Sequence, residues 1–283
     1  MSPTSTPATR APARGATLAL RGARLGHRGD VVLDGFDLTV EAGEVLAVVG
    51  PSGCGKSTLL RTLAGLLPPL GGAVEQDGQP VSGPSADRAL VFQDDALLPW
   101  RTARSNVELP LAIRASARGG PADEDGAGRT QAARAAAGEP EQRAGADRGA
   151  GGGRGWRRQV AEAWLERVGL AAHADRLPHQ LSGGQRQRVQ LARALAARPR
   201  AVLMDEPFGA LDAQTRAEMQ DLLVDVLAGT GATVVFVTHD VDEALFLGDR
   251  IALPATGEVL RVPLPRTRAA DHAALRQQII NSL

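Results

Sequence analysis

The first candidate for chemistry is a glycine-rich segment that follows a run of apolar residues. It reads Gly50, Pro51, Ser52, Gly53, Cys54, Gly55, Lys56 and Ser57. Glycines let the backbone curl until successive N–H groups point at phosphate oxygens, and a following helix adds its positive N-terminal end. Lys56, the only lysine of the chain, is a compact charge that can reach between outer phosphates, and the Ser57 hydroxyl can ligate Mg²⁺. The segment therefore predicts a site for nucleotide phosphates.

Two adjacent carboxylates are the second feature. Asp205 and Glu206 follow the apolar run 201–204, which fits a buried strand. Adjacent side chains at a strand end point in different directions, so one carboxylate can hold the water shell of Mg²⁺ while the other polarises an attacking water. We assign Asp205 to the metal and Glu206 to the general base. The plainer alternative is an acidic helix N-cap after a core strand.

A third feature reads as the start of a helix, with the residues Leu181, Ser182, Gly183, Gly184 and Gln185. Ser182 and the two glycines would expose several N–H groups at the helix N-terminus, which makes a second anion site. One chain does not need two sites for one phosphate tail, so we predict that this loop closes over the nucleotide of a second subunit. An ordinary serine-capped helix is the alternative.

Alternating strands and helices must position these residues. Short apolar runs predict buried strands at 45–49, 89–92, 201–204 and 234–237. Helical periodicity predicts helices at 57–66, 159–168, 185–196 and around the stripe 219–227. Gly169 can cap the end of the second of these. Residues 17–40 have the two-residue period of strands. This alternation indicates an α/β protein with a largely parallel sheet.

Composition excludes several classes of protein. The chain of 283 residues carries 32 basic and 32 acidic side chains, so no overall positive field favours non-specific nucleic-acid binding. A single cysteine excludes a disulfide framework and a structural zinc site. The sequence shows neither a membrane-spanning apolar run nor the apolar core of a signal peptide, so we expect a protein of the cytosolic side.

Two stretches are predicted to lack fixed structure. Residues 1–15 contain Ser, Thr, Pro, Ala and Arg without an acid and fit a floppy tail. Residues 114–158 are rich in Gly, Ala and Arg, and cannot bury enough surface to offset the entropy of ordering. We interpret them as a disordered insertion; an arginine-mediated contact with lipid or a partner is the alternative.

Together these motifs resemble the ATP-binding cassette subunit of ABC transporters, over nearly the whole chain except the tail and the insertion. Gln93 resembles the glutamine between the two lobes of that family, and Ser182 to Gln185 its signature loop. Residues 208–212 resemble the loop that contacts the other subunit. His239 resembles the switch histidine, which holds the γ-phosphate and the attacking water and would act beside Glu206 in catalysis.

The resemblance implies a fold and a division of the chain. The expected fold is a P-loop NTPase core of RecA-like α/β type, with an antiparallel β subdomain and an inserted α-helical signature subdomain. The ABC ATPase domain would cover 16–260, with the helical subdomain at about 94–190, and a short C-terminal helix region would cover 261–283.

The resemblance also implies cofactors and partners. ATP and Mg²⁺ would be bound, with Thr58 and Gln93 joining the phosphate-loop residues at ATP. Gln93 would also join Ser57 and Asp205 at the metal. The expected partners are a second copy of the chain, two transmembrane permease subunits and, indirectly, a solute-binding protein, but no nucleic acid. The subunit would then lie peripherally on the cytoplasmic face of the cell membrane.

Finer features resemble importers of nitrate, sulfonates and taurine. They are residues 97–101 after Gln93, then Ser105, Asn106 and Val107, and residues 209–216. Residues 218–222 and the short C-terminal region most resemble importers of aliphatic sulfonates, the expected solute; taurine or nitrate is the alternative. The alternative of another class is a non-transport ABC ATPase in regulation or DNA maintenance. Neutral charge and the lack of coiled-coil heptads in 114–158 disfavour it.

Two positions stay open at this level. Members of the family stack an aromatic residue on adenine, this chain has no tyrosine, and His27 or Leu25 lies in the corresponding region. Cys54 is either a reactive thiolate in the positive field of the loop or a small apolar filler beneath it.

Overall fold

The computed structural model describes residues 15–27, 30–94, 96–118, 153–209, 211–267 and 272–283. The predicted tail, except for the buried Gly15, lies outside the described residues, and so do residues 119–152 of the predicted insertion.

The described residues form runs of strands interleaved with helices. The strands are β1 (Leu18–His27), β2 (Asp30–Val40), β3 (Val45–Val49), β4 (Gly71–Gln76), β5 (Gln79–Pro80), β6 (Arg88–Val91), β7 (Ala201–Asp205), β8 (Thr233–Thr238), β9 (Arg250–Leu253) and β10 (Glu258–Arg261). The helices are α1 (Lys56–Leu63), α2 (Ala103–Arg118), α3 (Arg154–Arg167), α4 (Gly183–Ala196), α5 (Ala213–Ala228), α6 (Val241–Leu247) and α7 (Ala273–Ser282).

A six-stranded sheet forms the centre of the fold, in the order β10-β9-β3-β8-β7-β6. Its neighbours pair in parallel except β9 and β10. Along β3, Val45, Ala47 and Val49 belong to one core cluster, whereas Leu46 and Val48 belong to the other. Both faces of the strand are therefore covered, as a short apolar run in a parallel sheet predicts, and the predicted α/β fold is confirmed.

A second, antiparallel sheet has the order β2-β1-β4-β5. Phe36, Leu38 and Val40 on β2 are buried, while Asp37 between them is exposed. This confirms the two-residue period predicted for 17–40.

Helices α2, α3 and α4 pack on one another and share the core cluster of the central sheet through Val107, Trp164 and Val189. Helix α3 ends at Gly169, which has a φ of 73°. The N–H groups of Gly169 and Leu170 donate to the carbonyls of Glu166 and Leu165 at 2.9 and 2.7 Å. This paired arrangement satisfies the last carbonyls of the helix and confirms the predicted glycine cap.

The ends of the predicted insertion are helical, which corrects the boundaries 114–158. Residues 114–118 complete α2, and residues 154–158 begin α3. Arg114 donates to the carbonyl of Ala197 and lies 3.5 Å from the Asp87 carboxylate, which fixes the end of α2 against the core. The prediction failed there because Ala and Arg, although they bury little, are good helix formers once a neighbouring turn is in place.

Other boundaries moved by one to three residues, and the C-terminal segment joins the core. Ile279 on α7 and Val262 are buried within the cluster that includes the central sheet. In the described ranges, no helix is long and apolar enough to cross a membrane. The proposed domain limits stay a prediction.

Candidate active site

The phosphate loop, residues 50–57, connects β3 to α1. Gly53 and Gly55 have φ values of 84° and 96°, which L-residues with a side chain rarely adopt. A Cβ at Gly55 would also lie 3.0 Å from Val32 and 3.1 Å from Leu33. Two glycines of the motif are therefore required by backbone conformation, and one of them also by lack of space.

The Lys56 ammonium lies inside the curve of this loop. It donates to the carbonyls of Gly50 at 2.7 Å and Pro51 at 2.8 Å, and the residue is only 6% exposed. These bonds hold the charge beside the loop without neutralising it, because both acceptors are uncharged. The cation is thus available to a phosphate oxygen at the place that the motif predicts.

Cys54 packs against the same loop. A Cβ on Gly50 would come within 2.7 Å of the Cys54 sulfur, so the thiol fills the space that the first glycine leaves. The residue is half-buried. The thiol is therefore both a packing group and within reach of solvent.

Ser57 and Asp205 meet from opposite sides of β8. The Ser57 hydroxyl, on α1, donates to Asp205 Oδ1 at the end of β7 over 3.1 Å. A hydroxyl and a carboxylate oxygen beside a phosphate loop are the hard oxygen donors that Mg²⁺ prefers. The described residues contain no cluster of three His, Cys, Asp or Glu side chains for a metal. A cation held here would take its remaining ligands from neutral side chains such as an amide, from phosphate and from water, so these residues fit Mg²⁺.

Glu206, the next residue, has other partners. Its φ of 44° turns the backbone sharply just after β7, an unfavourable conformation for a side chain of this size and one found at functional sites. Its Oε2 lies 3.3 Å from His239 Nδ1 and accepts from Gln93 Nε2 at 3.4 Å. The structure thus brings together Glu206 and His239, which the sequence analysis placed at the attacking water, and Gln93, which it assigned to ATP and the metal.

A layer of polar residues behind His239 was missed by the sequence analysis. Asp240 caps α6 by accepting from the N–H groups of Asp242 and Glu243 at 2.8 and 3.2 Å. The Thr238 hydroxyl donates to Glu243 Oε2 at 2.7 Å. Burial of Glu243 raises the pKa of its carboxyl above the ordinary value. The start of α6, and with it the His239 backbone, is therefore fixed on both sides.

Arg216 connects this layer to the loop at 208–212. Its guanidinium donates to the carbonyl of Leu211 at 3.2 Å and to Asp240 at 3.4 Å. Asp212 caps α5 by accepting from the N–H and hydroxyl of Thr215, at 3.0 and 2.7 Å, and these bonds lower the pKa of its carboxyl. No sequence signal joins Arg216 to Asp240, because the pairing depends on how α5 and α6 pack.

The signature loop, residues 181–185, has the geometry of a helix cap. Ser182 Oγ accepts from the N–H of Gln185 at 3.2 Å, and Gln185 Oε1 accepts from the N–H of Ser182 at 3.0 Å. Ser182 and Gly183 are exposed. A Cβ at Gly184 would lie 2.8 Å from Thr215, which places the loop beside the start of α5. The structure therefore contains the serine cap, and it also presents the loop to solvent.

The segment after Gln93 presents an aromatic residue to solvent. Trp100 is 73% exposed. Asn106, which is fully buried on α2, donates to the carbonyls of Leu98 and Arg101 at 3.2 and 3.0 Å and accepts from the Leu98 N–H at 2.8 Å. The loop carrying Trp100 is therefore held firmly while its tip stays uncovered.

The two residues considered for adenine differ in position. Leu25 is fully buried in the core of the antiparallel sheet, so it cannot stack on a base, and this alternative was wrong. His27 lies exposed at the end of β1. Val31 and Val32, each 41% exposed, lie near it on β2, and no sequence signal had marked them.

Comparison with known proteins gives consistent matches. The profile of the ABC transporter family matches residues 33–209. The chain is 43% identical over 265 residues to an aliphatic sulfonates import ATP-binding protein of Agrobacterium fabrum, covering 93% of this chain and 86% of the relative. It is also 43% identical over 264 residues to a taurine import ATP-binding protein of Chromobacterium violaceum, covering 88% and 87%.

A solved structure agrees with these sequences. It is a dimeric, post-hydrolysis state of an ATP-binding cassette bound to ADP and Pi. It is similar to this chain with a TM-score of 0.66 at 32% identity, and the match covers 87% of this chain and 99% of the cassette.

Proposed function

This chain belongs to the ABC transporter family and is the ATP-binding subunit of an importer, and from that premise we propose how its residues divide the work of ATP hydrolysis. One observation carries the assignment. Gln93 and His239 converge on a single carboxylate oxygen of Glu206, next to the pair formed by Ser57 and Asp205.

The phosphate chain of ATP binds along residues 50–58, whose N–H groups, except at Pro51, can donate to it, and Lys56 lies between its outer phosphates. Ser57, Asp205 and Gln93 would hold Mg²⁺, and the ion would supply positive charge to neutralise the phosphate oxygens. Glu206 accepts the proton of the attacking water, and His239 orients that water and the γ-phosphate. The layer behind His239 keeps the imidazole in place while the water attacks.

A second copy of the chain completes each site. The exposed Gly183 carries an N–H group and the exposed Ser182 a hydroxyl proton, both suited to a phosphate that approaches from outside the subunit. The Ser182 N–H itself donates to Gln185. The similar cassette that binds ADP and Pi is dimeric, which supports this arrangement. The active unit is then a homodimer with two nucleotides between its subunits.

The dimer works with two permease subunits at the cytoplasmic face of the membrane, and a solute-binding protein delivers the solute to them. The rigidly held, exposed loop with Trp100 supports a docking role for residues 93–100. An aliphatic sulfonate is the proposed solute, and taurine or nitrate is the alternative. Since the sulfonate and taurine relatives are equally identical to this chain, the solute is tested by growth. A strain that lacks this gene should fail to use an alkanesulfonate as sulfur source and still use taurine; the reverse result would identify a taurine importer.

The catalytic assignment is tested with Glu206→Gln. The amide keeps the size of the side chain and cannot accept the water proton, so turnover should fall by roughly 10²–10⁴. ATP binding, followed by equilibrium titration, should be retained, and an ATP-bound dimer should accumulate in gel filtration. Near-normal turnover would remove Glu206 from the role of general base.

A further inference from the structure

A buried amide on α4 holds the loop that contains Gln93. Gln190 is 1% exposed, and its Nε2 donates to the carbonyls of Phe92 at 3.1 Å and Asp94 at 3.2 Å. These carbonyls belong to the residues on either side of Gln93. Since both neighbours are acceptors, only the NH₂ end of the amide can face them, and its orientation is fixed.

The same amide carries an unfavourable feature. Among the described residues, the Oε1 atom of Gln190 is buried and finds no hydrogen-bond donor. A buried acceptor without a partner is destabilising. An apolar side chain at position 190 would remove this acceptor, but it would also take their donor from the carbonyls of Phe92 and Asp94. Its helix neighbours Val189 and Leu191 are apolar and buried. An amide at position 190 is therefore favoured by the two hydrogen bonds that it donates to the loop.

A second residue of α4, one helical turn after Gln190, also binds the loop. Arg193 donates to the carbonyl of Ala96 at 2.8 Å. Ala96 has a φ of 44°, so the chain bends sharply where this bond forms. Helix α4 thus fixes three carbonyls of the segment 92–96.

Helix α4 begins at the signature loop, and Gln190 lies roughly two turns further along. Gln93, between the two carbonyls that Gln190 holds, donates to Glu206 at 3.4 Å. A single rigid helix therefore connects the exposed Ser182 to the side chain that reaches the general base. The hydrogen bonds of Gln190 and Arg193 to the loop complete this connection.

We infer that Gln190 is a positioning residue for hydrolysis: its amide ties the Gln93 loop to the signature helix, so that Gln93 reaches Glu206 only while the two move together. This inference rests on the proposed role of Gln93. Gln190 contacts neither substrate nor metal, and it acts through the loop alone.

The test replaces the amide by a side chain of similar length that cannot donate. Gln190→Met keeps the helix and the packing and removes both bonds. We expect kcat to fall about tenfold, the loss expected for two buried hydrogen bonds of ordinary strength. The Kd of ATP should be unchanged, because the phosphate loop is untouched. Amide hydrogen exchange in the nucleotide-free protein should become faster in segment 92–97 and stay the same in the phosphate loop.

Gln187→Met is the matched control. Gln187 lies on the same helix, is 9% exposed and makes no hydrogen bond to the described residues of the loop. Any loss that comes merely from changing a buried glutamine of α4 to methionine would also appear in this control. Because Gln187 does not hold the loop, we expect kcat and the exchange of segment 92–97 to stay unchanged. Equal effects of the two variants would overturn the inference.

A double variant separates this inference from the proposed function. If Gln190 acts through Gln93, Gln93→Ala with Gln190→Met should be no slower than Gln93→Ala alone. Losses that multiply would overturn the inference and leave the role of Gln93 standing. If Gln93→Ala alone has normal turnover, the proposed role of Gln93 fails, and the inference fails with it.

Discussion

The phosphate loop and the signature loop are both glycine-rich segments at the start of a helix, and they differ in what completes them. The phosphate loop holds the Lys56 ammonium with its own carbonyls and has the Ser57–Asp205 pair beside it. The signature loop contains no charged side chain, and its serine and glutamine satisfy each other in a capping box. The first is a complete anion site, whereas the second has only N–H groups and a hydroxyl to offer.

This difference shows that the same local geometry can have two different functions. A helix N-terminus with an internal cation binds a phosphate by itself. A helix N-terminus without a cation binds a phosphate too weakly by itself. It contributes when it closes over a phosphate that another site already holds. Four experiments test whether the two loops differ in this way.

The largest effect is expected when the loops are damaged in different chains. Lys56→Ala should abolish productive ATP binding, and Ser182→Arg should block closure by placing a bulky cation at the partner's phosphate, with losses of at least about 10²–10³ in turnover. A mixture of the two inactive variants should regain activity, because a mixed dimer has one site with an intact Lys56 and an intact Ser182. ATPase assays of the mixture, with mixed dimers verified by differently tagged chains, check this.

Ser182→Arg should still bind ATP as a monomer, which is the internal control for folding. If verified mixed dimers stay inactive, the two loops do not combine across an interface, and the comparison fails.

Thiol labelling should distinguish the loops in one chain. A maleimide at Cys54 should inactivate the ATPase, and MgATP should protect it, because added bulk there would displace the phosphates. Cys54→Ala, which lacks any thiol, is the control that should resist the reagent. Mass measurement gives the extent of labelling. Stoichiometric labelling with full activity would place the thiol away from the nucleotide.

In the Cys54→Ala background, Gly183→Cys moves the thiol to the signature loop. A Cβ at Gly183 meets nothing within 4 Å, so the substitution should be tolerated. Its labelling should stop turnover and leave ATP binding intact, in contrast to labelling at position 54. Loss of ATP binding in the labelled monomer would contradict the proposal that the phosphate loop binds ATP by itself and the signature loop acts on the nucleotide of the partner.

A cap-conserving substitution separates structure from function at Ser182. Aspartate caps a helix about as well as serine, whereas alanine at the cap position lowers the stability by about 1 kcal/mol. Ser182→Asp should therefore keep the Tm and lose turnover, because its carboxylate would face a phosphate. Ser182→Ala should lower the Tm, measured by thermal denaturation. An active Ser182→Asp would reduce the loop to a serine-capped helix.

The smallest effect concerns two carboxyls that support the loops and respond oppositely to pH. Burial raises the pKa of Glu243 above 4.5, so the stability it contributes is present below that pH and is lost as pH rises through the raised pKa. Glu243→Gln should therefore gain Tm relative to the parent as pH rises. Asp212, whose pKa is lowered from 3.8, contributes stability above that pH, which is lost as pH falls through the lowered pKa.

Asp212→Asn should consequently show its deficit at neutral pH and lose it in strong acid. Thermal denaturation across this pH range tests both signs with one method. Glu243 Oε1 also lies 3.6 Å from Arg216 Nε. A Tm difference for Glu243→Gln that shrinks as pH rises would show that this ion pair outweighs burial.

The sequence alone determined the features that depend on near neighbours. The phosphate loop, the carboxylates after β7, the capping box of Ser182 and the glycine end of α3 each lie within a few residues. Their geometry follows from backbone preferences and hydrogen bonds that spacing reveals. The same reasoning predicted the alternation of strands and helices, and thus the fold class.

Only the tertiary structure decided what comes together across the sheet. Residues that follow parallel strands share one edge, yet which of them touch depends on strand order, which periodicity does not encode. The order β3-β8-β7-β6 places Ser57 against Asp205, and His239 and Gln93 against Glu206. Packing also decided the hydrogen bonds of Gln190 to the Gln93 loop and the helical ends of the predicted insertion. In both places, buried contacts between distant segments outweigh local composition.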